Sequence, residues 1–200
     1  MKIGIIVDGE SEYHSLPKIL HRIDTEHTIL DPMRADIQPL AKPGRIAAAL
    51  KSRLLILARK ETDRVVVLID REGNESCPND IAESILDALV STCKVHDIRI
   101  PDIVIKNRCY ENWLVADVAN IRRMPKRFVI SGTEYAKAGN GLADEVNALQ
   151  ILKLSAIRHS YSKVQDAVRI MQKADPHSMA MNSRSFRKFL KSLGCPHYAS

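Results

Sequence analysis

Two apolar runs, each stopping at a carboxylate, constrain this chain most. The first is Lys2-Ile3-Gly4-Ile5-Ile6-Val7, followed by Asp8-Gly9-Glu10-Ser11-Glu12. The second is Arg64-Val65-Val66-Val67-Leu68-Ile69, followed by Asp70-Arg71-Glu72-Gly73. Short continuous β-branched runs bounded by turn residues read as strands buried on both faces, the pattern of a parallel sheet covered by helices. Gly9 is expected to let the backbone turn sharply where the first strand stops. The acids then lie at carboxyl ends of central strands, where open α/β sheets bind ligands. If the two strands are parallel neighbours, Asp8, Asp70 and Glu72 converge on one rim. An oxygen-only cluster of this kind suits Mg²⁺, Mn²⁺ or Ca²⁺, which relieves the repulsion among the carboxylates.

Between and beyond these runs the apolar spacing becomes helical. Leu16, Ile19, Leu20 and Ile23 predict a helix over about 12–24, with Pro17 tolerated near its start. Thr28-Ile29-Leu30 reads as a short strand ended by Asp31-Pro32. Pro43-Gly44 opens a helix buried through Ile46, Leu50, Leu54 and Leu57. Pro78 opens another, buried through Ile81, Ile85, Leu89 and either Val90 or Cys93. Ile98 to Ile105 reads as a further strand, which Pro101 marks as an edge or a bulge. This β-α-β-α-β-α-β order predicts an α/β fold with a mainly parallel four-stranded sheet flanked by helices.

Past that sheet, Tyr110-Glu111-Asn112-Trp113 reads as a helix anchored by the only Trp, so that Tyr110 and Glu111 need not face the core. Glu111 either returns to the acidic rim or is an ordinary helix residue. Asp117 reads as a surface residue or local cap. Residues 131–141 read as a mobile loop, and 143–154 and 163–173 as helices. Ser183 or Ser185 caps a last helix whose apolar face is Phe186, Phe189, Leu190 and Leu193. The expected organisation is an α/β core over 1–125 and a mostly helical, basic extension over 126–200.

Composition narrows the function classes. No apolar run approaches the roughly 20 residues that span a membrane, and Asp8 interrupts any secretory signal, so a cytoplasmic protein is expected. The four cysteines form no Cys-x-x-Cys pair, and no dinucleotide fingerprint or phosphate loop is present. The net charge of +6 is uneven: residues 151–200 hold nine Lys or Arg against Asp166 and Asp175. Arg184, Arg187, Lys188 and Lys191 are candidates for nucleic-acid phosphates. A solvated helical face and an acidic protein partner explain the same charge.

In their order and placement these motifs resemble the TOPRIM domain of topoisomerases, bacterial primases and overcoming-lysogenization-defect nucleases. The whole chain resembles small bacterial TOPRIM-like proteins of an uncharacterised family. That family's Val-Glu-Gly-x-Thr-Glu is met by Val7-Asp8-Gly9-Glu10-Ser11-Glu12, and its Asp-x-Asp by Asp70-Arg71-Glu72. Its Glu-x-Trp is met by Glu111-Asn112-Trp113, and its Ser-x-Ser-Phe by Ser183-Arg184-Ser185-Phe186. Asp8 is one methylene shorter than the family's glutamate, and Glu72 one longer than its aspartate. The resemblance implies a Rossmann-like TOPRIM fold and a Mg²⁺- or Mn²⁺-dependent nuclease. Asp8, Asp70 and Glu72 would hold the metal, with Glu12 or Glu111 positioning water or acting as general base. It also implies the alternative, a non-catalytic subunit that docks an ABC-type ATPase in a phage-defence complex. A response-regulator phosphoacceptor is disfavoured, because no Lys-Pro follows the fourth strand.

Overall fold

The computed structural model describes residues 1–199. The strands are β1 (Lys2–Val7), β2 (Thr28–Ile29), β3 (Met33–Arg34), β4 (Arg64–Asp70) and β5 (Asp102–Lys106). All their pairings are parallel, and the order is β2-β1-β4-β5, with β3 also on β1. The fold is therefore α/β and Rossmann-like, with five short strands where four were expected. The extra strand is one edge cut in two. β2 pairs with the start of β1 and β3 with its end, and Pro32, which cannot donate to a ladder, lies between them. β5 is the other edge, consistent with Pro101 just before it. Residues 98–101, expected in that strand, lie outside it, and Ile100 is exposed.

Ahead of β4 come α1 (Glu10–Ser15), α2 (Pro17–Leu20) and α3 (Pro43–Arg59). Between β4 and β5 lies α4 (Pro78–Val95). After β5 follow α5 (Tyr110–Ala116), α6 (Val118–Arg122), α7 (Gly132–Ala138) and α8 (Ala148–Ser155). The last are α9 (Lys163–Met171), α10 (Pro176–Asn182) and α11 (Arg184–Ser192). The single helix expected over 12–24 is two, because Pro17 has no amide hydrogen to continue the α1 ladder. Residues 131–141 are not a loop throughout. Ser131 and Glu134 form a reciprocal capping box that starts α7, a Ser-x-x-Glu signal present in the sequence.

The period of two along each strand divides the core. Ile6, Val65, Val67, Ile69, Ile103 and Ile105 face α3 and α4, where Ile46, Leu50, Leu54, Leu57, Ile85, Leu89 and Cys93 meet them. Val90 is exposed, so Cys93 completes the α4 stripe. Ile3, Ile5, Val7, Val66, Leu68 and Val104 face the other way, into one continuous cluster reaching Leu193 and Tyr198. Asp70 and Lys106 follow this second alternation, two residues beyond Leu68 and Val104. No helix among the described residues is long and apolar enough to cross a membrane.

Candidate metal centre

The parallel register puts the ends of β1, β4 and β5 side by side, with Val7 beside Leu68 and Asp70 beside Lys106. Asp8, Glu12 and Asp70 converge there, each offering a carboxylate oxygen within 4.8 Å of the others. Lys106 is fully buried at their centre. Its Nζ donates to Asp8 Oδ1 at 2.7 Å and to Glu12 Oε1, and lies 3.0 Å from Asp70 Oδ1. The Asp70 amide donates to Asp8 Oδ2 at 2.8 Å, which locks the first acidic turn to the second. Asp70 Oδ1 accepts no hydrogen bond: the ammonium approaches it as an ion pair without hydrogen-bond geometry. Solvent reaches the cluster at Asp70, whose side chain is 17% exposed against 4% or less for the other three.

Gly9 serves this cluster differently from the sequence expectation. Its φ is −104°, ordinary extended backbone. What the position requires is space, because a Cβ there would lie 2.2 Å from Glu12 Oε2. The missing side chain lets the Glu12 carboxylate fold back over the turn toward Lys106.

Three carboxylates and one ammonium sum to −2 when all are ionised, in a site nearly closed to water. Burial raises the Asp70 pKa well above the usual carboxylate range, with Lys106 opposing and the Asp8 and Glu12 charges adding. Burial likewise raises Glu12, against the pull of Lys106. For Lys106, burial works to lower the pKa, but the charges of Asp70, Asp8 and Glu12 outweigh it and raise it well above normal.

The expected residues divide. Asp8 and Asp70 meet as anticipated. Glu72 does not join them: it sits in the turn after β4 at φ +52°, its amide donates to Arg108 O, and its side chain is exposed. Glu12, one turn into α1, supplies the third carboxylate instead. Glu111 is buried but outside the triad, with Oε1 3.9 Å from Lys163 Nζ of α9. Together with burial, Glu111 and Asp70 both push the Cys109 thiol pKa up, so that thiol feels both acids. Tyr110, which the spacing did not require to face the core, is buried and its hydroxyl bonds Ser15 Oγ at 2.7 Å. Asp117 is also buried. It caps α6 through the Asn120 amide and accepts from the Asp175 amide.

The two later motifs meet each other. Trp113 Nε1 donates to Ser185 Oγ at 2.8 Å, and its ring packs against Phe186 and Phe189 at 5.1 and 5.2 Å. Asp144 accepts from the Ser183 and Ser185 hydroxyls and the Ser185 amide. Of the candidate phosphate contacts, Arg187 is turned inward onto the Ala180 and Met181 carbonyls, and Lys188 reaches Asn79 at 3.2 Å. Arg184 and Lys188 line a groove with Arg71, while Lys191 is exposed elsewhere on α11.

Sequence reasoning missed Lys106. Its signal was a charge at the end of Ile103-Val104-Ile105-Lys106, where the strand's alternation calls for an apolar residue.

The donor set suits a hard divalent cation: three carboxylates, no nitrogen or sulfur ligand, and one buried acceptor left without a donor. Lys106 holds the space between them, so a cation that binds must share or displace its ammonium. Because Asp70 and Glu12 hold protons more tightly than usual, binding should release protons and strengthen as pH rises through their raised pKa values. Millimolar Mg²⁺ or Mn²⁺ should therefore raise the melting temperature more at pH 8 than at pH 6, and Asp70→Asn should remove the shift. Equal shifts at both pH values, or a shift retained in Asp70→Asn, would place the cation elsewhere.

Fold and rim define a class: a parallel-sheet α/β protein with a buried acid–lysine cluster at the carboxyl ends of its strands. Within that class, the chain belongs to the family described as Domain of unknown function (DUF4276), which matches residues 7–194. No curated protein and no solved structure matches it.

Proposed function

We propose that this protein is a Mg²⁺- or Mn²⁺-dependent phosphodiester hydrolase acting on nucleic acid, related to the TOPRIM nucleases. The supporting observation is the convergence of Asp8, Glu12 and Asp70 at the carboxyl rim of β1 and β4. Asp8, Glu12 and Asp70 would hold the metal. Bound there, the metal supplies Lewis-acid polarisation of the phosphate and a more acidic water. Lys106 keeps the Asp8 and Glu12 carboxylates aimed inward and neutralises part of their charge before substrate arrives. Asp70, open to solvent on one side, is the member a phosphate meets first. Glu111, buried beside Cys109, would take a proton from a water at the edge of the site.

The test is cleavage of labelled single- and double-stranded DNA and RNA by the full chain with Mg²⁺ or Mn²⁺. Cleavage that vanishes in Asp70→Asn and with a chelator supports the reading. Absence of cleavage on all four substrates refutes it. A second reading, a non-catalytic subunit docking an ATPase, draws on Lys106 itself, because an ammonium already compensates the acids without a metal. Under that reading Mg²⁺ leaves the melting temperature unchanged.

A further inference from the structure

Three regions of this chain hold most of its positive charge: 42–60 and 184–191, each without an acid, and the pair 118–130 and 151–174. Residues 118–130 and 151–174 carry nine Lys or Arg against the single Asp166, a net of +8, whereas the whole chain carries +6. The residues outside this pair sum to −2. The two segments are pinned together. Phe128 and Ala156 form an antiparallel bridge, the Val129 amide donates to Ser155 O, and the Ile157 amide donates to Arg127 O. Arg127 then closes the joint. Its Nε donates to Asp166 Oδ1 at 2.8 Å, and its Nη atoms donate to the carbonyls of Ile157, His159 and Ser160. Asp166, the one acid, is buried and consumed by this clamp.

The remaining cations face water. Between the C-terminal ends of α6 and α9 lies a pocket of about 390 Å³ with Met124 and Pro125 in its lining. Around it stand Arg123, Lys126, Arg169 and Lys173, all exposed. No carboxylate lines it. Arg123 feels the Asp117 carboxylate only at a distance, and no carboxylate reaches within ion-pair range of Arg123, Lys126 or Lys173 among the described residues.

We infer that this cationic pocket binds the phosphate backbone of a polynucleotide, and that α9 leads the strand from it toward the acid site. Helix α9 is the link. It packs against α1, which carries Glu12, and its first residue, Lys163, lies 3.9 Å from Glu111. Its nine residues cover about 13 Å, roughly four base steps of duplex. No aromatic ring lines the pocket, so the contacts fall on phosphates rather than stacked bases, and binding is indifferent to sequence. The route to the acids rests on the hydrolase reading above, whereas binding at the pocket does not.

The experiment is fluorescence anisotropy with labelled 20-nucleotide single-stranded DNA and RNA and a 20-base-pair duplex. It runs in EDTA, over a range of KCl concentrations, with poly-glutamate as competitor. Wild type is compared with Arg123→Ala/Lys126→Ala/Lys173→Ala and with Arg184→Ala/Lys188→Ala/Lys191→Ala. All six positions are exposed, so melting temperatures near wild type serve as the folding control. The pocket variant should bind at least about tenfold more weakly at low salt. Its log–log salt slope should be shallower by about 2–3, because each lost phosphate contact removes about 0.7–0.9. The α11 variant should change less. Binding by the pocket variant equal to wild type overturns the inference, as does a larger loss in the α11 variant. Wild type that binds no nucleic acid also overturns it, and if poly-glutamate binds instead, the patch receives an acidic protein. The hydrolase reading fails separately. Loss of binding in the pocket variant with no metal-dependent cleavage in wild type upholds the pocket and removes the hydrolase. Cleavage by a pocket variant that binds normally does the reverse.

Discussion

Lys106→Met should destabilise the protein by about 3–5 kcal/mol at neutral pH, the usual cost of removing one partner from a buried ion pair. In a chain of 200 residues that is a fall in melting temperature of roughly 6–20 °C. Methionine keeps the length and apolar stem of lysine, so the effect isolates the charge. Without the ammonium, Asp8 Oδ1 and Glu12 Oε1 lose their donor and Asp70 Oδ1 loses the cation 3.0 Å from it. The pH dependence has a definite sign. Glu12 and Asp70 already have folded pKa values above their unfolded ones, so protonation favours the native state. Their contribution is most favourable at low pH and is lost as pH rises through the folded values. Removing Lys106 raises those values further and widens the window. The Lys106→Met defect should therefore shrink near pH 5 and be greatest above pH 7. A divalent cation should rescue it in part, since it replaces the missing positive charge, and should bind the variant more tightly than wild type. Thermal melts from pH 5 to pH 8, with and without Mn²⁺, decide the matter. A defect independent of both pH and metal would mean that Lys106 acts by packing alone.

The same residue marks where the sequence was legible and where it was not. The two acid-tipped strands announced the sheet, its parallel sense and the meeting of Asp8 with Asp70, because continuous apolar runs admit few other structures. The α3 and α4 stripes followed from their period. What spacing could not convey was rotation at the strand ends. Glu72 is two residues past the end of β4 by count, yet a left-handed residue in the turn sends it to solvent. Glu12 is four residues past Asp8, one helical turn, and the bare Gly9 lets it fold inward. Lys106 was invisible as a partner because the acids it pairs with are 36 or more residues away in sequence. The same holds for the Trp113–Ser185 bond, which joins motifs 72 residues apart. The sequence offered one as a Trp-anchored helix carrying the candidate base Glu111, and the other as a capped helix start. Geometry gives this pair a structural role, and shows that α5 is buried on every side rather than along one stripe.

Trp113→Ala should be the other large loss, and it separates scaffold from chemistry. Trp113 is fully buried, and its ring touches Tyr110, Phe186 and Phe189. Truncating a buried Trp to Ala costs about 3–5 kcal/mol, from lost transfer energy and the cavity left behind. Here the Ser185 hydroxyl also loses the indole N–H it accepts from, and the start of α11 is left to Asp144 and the Ser183 cap. Because α11 packs on the edge strand β5, which ends at Lys106, loosening it exposes the flank of the acid cluster. Trp113→Phe keeps most of the ring packing but not the donor, so it should cost about 1–3 kcal/mol, closer to a lost buried hydrogen bond. The metal response tells the two roles apart. Trp113→Phe, if still folded, should keep the Mn²⁺-induced rise in melting temperature, since none of its contacts is a carboxylate of the triad. Asp70→Asn should show the opposite pattern, a fold as stable as wild type or more so, because the site's excess negative charge falls from −2 to −1 while Lys106 keeps Asp8 and Glu12, with no response to the metal. A Trp113→Phe protein that melts like wild type yet ignores Mn²⁺ would tie the indole to the site itself.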